Sequence, residues 1–516
     1  MSITESDVRL RASARMTDFT NGGGLMSTTV IVDGVTNNVF DNITDLERLD
    51  GKLSLRKIFG AALNSDTSTY LSSHVVVDQP PTDTATSCFA FSTGNAVTER
   101  AAAVAALDTA SFTVLGAGNM TYVSDGSLTT GDTAITSQAA EVIAGRAFLA
   151  ISVGGTWYLR TMAVFGSGGF SYTPDAAIPG IATSTSYVAK IVKVNTAAPR
   201  AFGVATLTAA ASSGSATATV DQAWAYRQPD TGVGEVASFR AMTLVLDDKV
   251  LVHSTLGMTA AAVSNSQVVT TGRTTLSRLR VIGFNGTVHG TFTRGQTFPT
   301  GLGFTADLDA GTVTFTTVSG LSQPVVVEHR IEELLRLTRV SVGSGVVTFN
   351  RGLSRAYPAG TRVSSLLVLG DLQARVSLYF AQTAWASVYT DAVVGSTPAA
   401  DYNVTGYPLA VTNKGAISER WALIFTNTTS FRIVGELLGE IGTGTTGTDC
   451  APNNPATSAP YFTVLSSGWG SGWTASNVYR FNTVGANAPV WVGRCVAPST
   501  PTGSDAVTLQ LRGYTN

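Results

Sequence analysis

Side chains able to do chemistry are few in this sequence and widely scattered. Carboxylate pairs suited to glycoside hydrolysis occur as Asp247-Asp248, Glu332-Glu333 and Glu436 with Glu440. Neighbours on a strand point to opposite faces, and Glu436 and Glu440 suit a solvated helix or turn, so a structural role is favoured for all of them. His74, His253, His289 and His329 show neither H-x-x-x-H nor H-E-x-x-H spacing, which zinc ligation from one helix requires. They read as structural or exposed histidines. Asp307-x-Asp309-x-Gly311 has the opening of a calcium loop without its later bidentate acidic ligand, and reads instead as a hairpin turn. Gly442 to Gly447 fits G-x-G-x-x-G, but Pro452 and Pro455 oppose the helix that would hold a pyrophosphate, which leaves a flexible loop. No G-x-S-x-G elbow is present. Cys88, Cys450 and Cys495 are far apart with no C-x-x-C pair; buried thiols are expected, with a Cys450 to Cys495 disulfide left open. The expectation is a protein that is not an enzyme, with no catalytic residue, cofactor or metal.

Aromatic residues are the uneven feature. Trp385, Trp421, Trp469, Trp473 and Trp491 are five of the seven tryptophans, and all lie near the C-terminal end with Tyr461, Phe462, Tyr479 and Phe481. Large rings dominate burial in cores and at interfaces, so these residues are expected to form a Trp-rich core or a subunit-interface or binding surface, ahead of a platform for stacking sugars.

The elements that must position these residues are mostly strands. Short Val, Ile, Thr and Phe runs of period two recur between Gly, Asn and Asp turns. Phe304 to Thr317 reads as a hairpin about Asp309-Ala310-Gly311 with Gly in the left-handed region. Gly345 to Asn350, Tyr461 to Leu465, Val507 to Leu511 and Tyr187 to Val194 read as further strands, the last apolar on both faces except at Lys190 and Lys193. Helix signals are few. Thr44 and Glu47 make a capping box opening Thr44 to Leu63, either one helix or a short helix and then a strand. Ile331, Leu334, Leu335 and Thr338 share a helical face with Glu332 and Arg336 at i,i+4, which predicts a turn or two of helix. The fold class expected is mainly β, with several β-sandwich or barrel-like domains and few short helices.

At 516 residues the chain exceeds what one core usually organises. Composition shifts at Asp78 to Asp83, Gln228 to Gly234 and Gly395 to Pro398 suggest four segments: 1–83, an N-terminal docking segment; 84–227, an Ala/Thr/Gly-rich β domain read as an insertion; 228–395, a central β domain; and 396–516, a Trp-rich β domain. Charged residues are only 13% of the chain, so much of its polar surface is hydroxyl and amide, which is less costly to bury against a neighbouring subunit. The net charge of −2 and the lack of a Lys/Arg run argue against direct nucleic-acid binding. Charges from Glu5 to Arg15 leave no secretory h-region, and stretches such as Ala201 to Val220 are too polar to span a bilayer, so synthesis in a cytoplasm without membrane insertion is expected.

Phe349 to Val363 (FNRGLSRAYPAGTRV), continuing through Gly370 to Trp385 (GDLQARVSLYFAQTAW), resembles strand-and-turn segments of tailed-bacteriophage tail proteins. Asn413 to Asn427 (NKGAISERWALIFTN) and Asn477 to Trp491 (NVYRFNTVGANAPVW) are similar to the C-terminal part of tail or baseplate proteins of Mu-like phages with non-contractile tails. The resemblance covers roughly the last third of the chain and carries no catalytic signature. It implies a virion structural protein at the tail tip or baseplate, formed in the host cytoplasm during assembly. Its implied partners are copies of itself in a threefold or sixfold ring around the hub, together with fibres and receptor-binding proteins. The Trp-rich end with Asn413 to Asn427 is then expected at the ring interface, and Val30 to Leu63 as a docking element. The alternative is a receptor-binding module for a host surface glycan or pilus.

Overall fold

The computed structural model describes residues 3–515 apart from 84, 112, 124–125, 144–146, 166–170, 194–199, 202, 221–222, 225–240, 295–297, 343 and 497–505. Strand accounts for 49% of the chain and helix for 5%, so the mainly β fold with several sheets and few short helices stands. The Gln228 to Gly234 boundary lies outside the described residues.

The capping box at Thr44 forms as its sequence requires. Glu47 N donates to Thr44 Oγ1 and Thr44 N to a Glu47 carboxylate oxygen, opening the helix Asp45–Asp50. Gly51, at φ 77, ends that helix, and the strand Lys52–Ala62 follows, so the version with a short helix and then a strand is the one adopted. This strand is central in a six-stranded antiparallel sheet with the order Arg200–Ala201, Thr86–Phe91, Asn487–Val496, Lys52–Ala62, Val8–Arg15, Gly23–Val30. The two ends of the chain therefore make one sheet. The Ala-rich helix Arg100–Ser111, which the sequence reading missed, covers it with Ala103 and Leu107 against Leu53, Leu55, Phe89 and Trp491.

Six strands of the central region close on themselves. Val326–Ser341 pairs with Val346–Phe349, which pairs with Ser215–Val220, then Val204–Leu207, Arg362–Leu372 and Lys249–Thr259, and the last of these pairs back onto Val326–Ser341. Closure removes two sheet edges. The interior holds Val250, Val252, Val363, Leu335, Leu337, Val347, Ala216 and Leu207. Arg278–Ile282 with Val288–Thr293 extend the wall beside Val326–Ser341, and Tyr70–Gln79 with Thr508–Thr515 extend it beside Arg362–Leu372. The expected Phe304 to Thr317 hairpin forms, with Gly311 at φ 66 and Arg273 O so close that no Cβ would fit.

A seven-stranded sheet runs from Thr113 to Lys193. One face packs Leu149, Ile151 and Ile191 under the helices Thr133–Thr136 and Ala139–Ile143, while Phe148, Leu159 and Val192 join the barrel's apolar cluster. That double burial accounts for the two apolar faces of Ser186–Lys193. Lys190 lies over the Trp157 ring and Lys193 pairs with Glu141. The C-terminal five-stranded sheet has the order Arg375–Gln382, Val478–Val484, Glu419–Phe425, Ser430–Gly435, Gly439–Thr445.

Three local readings are corrected. Residues 331–338 are not helical but lie within the strand Val326–Ser341, because pairing with Lys249–Thr259 through Arg336 and with Val346–Phe349 from Leu337 onward outweighs a local i,i+4 ion pair; Arg336 instead meets Asp247 at 3.0 Å. Gly442 to Thr445 is edge strand rather than loop. Tyr461 to Leu465 carries only the isolated bridges Ala410 with Thr463 and Cys450 with Val464.

Candidate functional site

The five C-terminal tryptophans separate into three environments. Trp421 and Trp473 are core rings: Trp421 is fully buried beside Phe462 with its Nε1 donating to Thr483 Oγ1 at 2.8 Å, and Trp473 stacks on Phe425 at 4.4 Å between centroids. Trp469 is half-buried and packs edge-on against Tyr402 and Trp473. Trp491 is fully buried in the N-terminal sheet, apart from the others, facing Lys57. Trp385 is half-buried against Tyr389, with the Arg480 guanidinium over both rings. Trp421, Trp473 and Trp491 thus have almost no surface to offer a partner or a sugar. Cys450 lies in the C-terminal aromatic core and Cys495 beneath the helix Arg100–Ser111, and all three cysteines are buried thiols.

The most developed polar arrangement is on the outer wall of the barrel, and the sequence reading missed it. Alternation along Val326–Ser341 sends Val327, Ile331 and Leu335 inward and Arg330 and Glu332 outward. Arg330, with no exposed surface, donates Nη1 to Asp78 Oδ1 at 2.6 Å and Nε to Glu332 Oε2 at 2.8 Å. Arg512 reaches the other Glu332 oxygen at 3.1 Å, and Gln510 Nε2 donates to Asp78 Oδ2 at 2.9 Å. Burial would raise the Glu332 pKa, but Arg512 and Arg330 hold it below the usual carboxylate range.

Within this network His253 Nδ1 lies 3.3 Å from Asp78 Oδ1, and His253 Nε2 lies 3.2 Å from Ser364 Oγ. Acid, imidazole and hydroxyl are in the order of a nucleophilic triad, yet the surroundings oppose that chemistry. Ser364 has no accessible surface, and Asp78 is shared with Arg330 and Gln510. Burial, followed by the charges of Arg330, Arg512, Arg362 and Arg278, pushes His253 well below the ordinary imidazole range, so it resists the proton a general base must accept. The array acts as a polar clamp between strands. Of the sequence-level carboxylate pairs, Glu332 joins this clamp, Glu333 turns away to Arg351, Glu436 pairs with Arg420 and Glu440 with Arg432. Among the described residues no three His, Cys, Asp or Glu side chains converge as metal ligands, and no helix is long and apolar enough to cross a membrane.

Beside the clamp lies a groove of about 1370 Å³. It is lined by Ser277, Arg278, Glu332, Arg355 and residues 508–514 of the strand Thr508–Thr515, and by the stretch 30–43 that follows Gly23–Val30, with Ile31, Val32 and Val39. The outward Gln510 and Arg512 of a period-two strand were the one sequence signal for this site. Compared with known proteins, the chain matches no family model, no curated protein and no solved structure.

Proposed function

We propose that this chain is a virion structural subunit of a tailed bacteriophage, placed at the baseplate or distal tail, where copies of it assemble around the hub and support fibres or receptor-binding proteins. The reading assigns it no catalytic task. The observation that carries it is the exposure of large apolar side chains on the N-terminal segment. Leu46 and Leu49 are each 70% exposed on one side of the helix Asp45–Asp50, Val32 is 55% and Val35 53% exposed, and Phe19 is 75% exposed. A chain that worked alone would gain by replacing them with polar residues; a chain that is covered by partners would keep them. These positions fall in or beside the stretch 30–63 suggested by sequence as the docking element, whereas three of the five C-terminal tryptophans are inside the fold. The interface is accordingly assigned to the N-terminal segment rather than to those rings.

The test is complementation of a phage lacking the chain with the double variant Leu46→Glu, Leu49→Glu, followed by mass spectrometry of purified particles. Both side chains are exposed, so the soluble chain should keep wild-type circular dichroism and thermal unfolding. The expected result is a folded chain missing from the particles. Normal incorporation and infectivity would remove the docking role, and absence of the wild-type chain from particles would remove the virion assignment itself.

A further inference from the structure

The strand Thr508–Thr515 is the last in its sheet and, among the described residues, pairs only with Tyr70–Gln79. Residues 508–514 of this strand line the groove described above, and no described strand pairs along its other edge. Its two faces differ in chemistry. Leu509 and Leu511 pack on the apolar cluster that includes Ile58, Val75, Leu367 and Val490, against which Leu10, Ile31 and Val39 also pack, while Gln510 and Arg512 face the clamp. A strand added at this edge would continue both faces, with alternate side chains meeting Ile31, Val32 and Val39 on one side and Arg278, Arg355 and Arg512 on the other. On that second side these three arginines line the groove with Glu332; Arg278 is paired with Glu328 at 3.2 Å and Arg512 with Glu332 at 3.1 Å, so Arg355 is the one whose charge is left for an occupant. Arg355 has no carboxylate partner among the described residues; its Nη1 donates to the carbonyls of Thr274 and Thr275, and its buried Nε has no acceptor. The lining of the whole groove contains seven arginines against five carboxylates.

We propose that this groove is a strand-addition site that takes an extended segment of another polypeptide in which acidic and apolar residues alternate. Main-chain bonds to Thr508–Thr515 supply affinity, and Arg355 sets register and selects an acidic partner. The proposal does not depend on where in an assembly the chain resides.

The probe is a fluorescein-labelled peptide of alternating Glu and Val, matching the 8 residues of the strand, titrated with the full chain in an anisotropy assay. It is compared with its Lys/Val counterpart, with a Glu/Val peptide N-methylated on alternate amides, and with polyglutamate. The acidic peptide should bind at least about tenfold more tightly than the other three, and amide exchange across 508–515 should slow in its presence. Arg355→Gln should weaken binding by about tenfold while leaving thermal unfolding unchanged, since that side chain bonds only exposed backbone carbonyls. Equal binding of the Lys/Val or N-methylated peptide would overturn the proposal, as would equal binding of polyglutamate or an unchanged exchange rate. If Arg355→Gln destabilises the chain, the peptide comparison on the wild-type protein still decides.

Discussion

Lys57 has no exposed surface, and its ammonium donates to three main-chain carbonyls: Asn95 at 3.2 Å, Ala96 at 2.5 Å and Thr98 at 3.0 Å. The rings of Phe59 and Trp491 stand beside it at 5.4 and 5.7 Å. Burial, with repulsion from Arg15, brings its pKa down from 10.5 to about 7. The sign of the resulting pH dependence follows from proton counting. Below about 7 both folded and unfolded chains hold the proton, whereas between about 7 and 10.5 the unfolded chain holds it and the folded chain does not. The unfolded state thus binds more protons across that window, so this residue's contribution to stability rises as pH rises through it. In urea titrations the wild type should gain stability relative to Lys57→Met on going from neutral pH to about pH 10, and an unchanged gap between the two proteins would contradict the assignment. The sequence marked Lys57 in no way, because its cage is made of backbone atoms from a turn some forty positions away. Trp491, by contrast, was expected with the other C-terminal rings in a Trp-rich core or at an interface, and not beside Lys57 inside the N-terminal sheet.

At the scale of elements, the strand Val326–Ser341 shows where local pattern and tertiary pairing conflict. Ile331, Leu334, Leu335 and Thr338 satisfy a helical period, yet the same stretch satisfies period two, and two neighbouring strands decide between them. The misread helix concealed Arg330 and Glu332, and with them the clamp. Elements whose own residues fix the outcome were legible: the capping box at Thr44, the hairpin at Gly311, and the strand Ser186–Lys193 with its two apolar faces. Because Glu332 bonds both Arg330 and Arg512, Glu332→Gln leaves two buried guanidiniums short of a carboxylate. Breaking one member of a buried ion network costs roughly 3–5 kcal/mol, so this change should lower the unfolding free energy and with it the urea midpoint strongly, while the exposed-pair change Glu440→Gln should alter the unfolding free energy by less than about 1 kcal/mol. Comparable midpoints for the two variants would mean that the clamp does not hold the strands. The clamp also has an acid limit. The lowered Glu332 pKa means that its contribution is present above the ordinary carboxylate range and is lost as pH falls through the folded value.

For the whole molecule, the largest feature that the sequence could not disclose is the sharing of one sheet by both ends of the chain. Lys52–Ala62 pairs with Asn487–Val496 over ten residue pairs, from Lys52 with Val496 to Ala61 with Asn487, and Asn487–Val496 in turn pairs with Thr86–Phe91. No periodicity in either segment specifies a partner more than four hundred positions away, since alternation fixes which face is buried and not which strand lies alongside. The arrangement has a consequence for how the chain is made. Until residues 487–496 are available, Lys52–Ala62 lacks one of its two neighbours, and Ile58 and Leu55, fully buried in the complete chain, lose the cover of Val490, Val492 and Trp491. The closed barrel and the C-terminal five-stranded sheet need no strand from that segment, because all their strands precede residue 487. A chain ending at residue 486, which also lacks Gln510 and Arg512 of the clamp, should therefore retain slow amide exchange in Ser215–Val220, on the barrel away from the clamp, and in Glu419–Phe425, but exchange fast in Lys52–Ala62 and Thr86–Phe91. Adding back residues 487–516 as a separate peptide should restore protection in those two strands if it can reach the gap. Protection of Lys52–Ala62 in the shortened chain would show that the N-terminal sheet forms without its C-terminal strand, and would refute an order of folding in which that sheet is completed last.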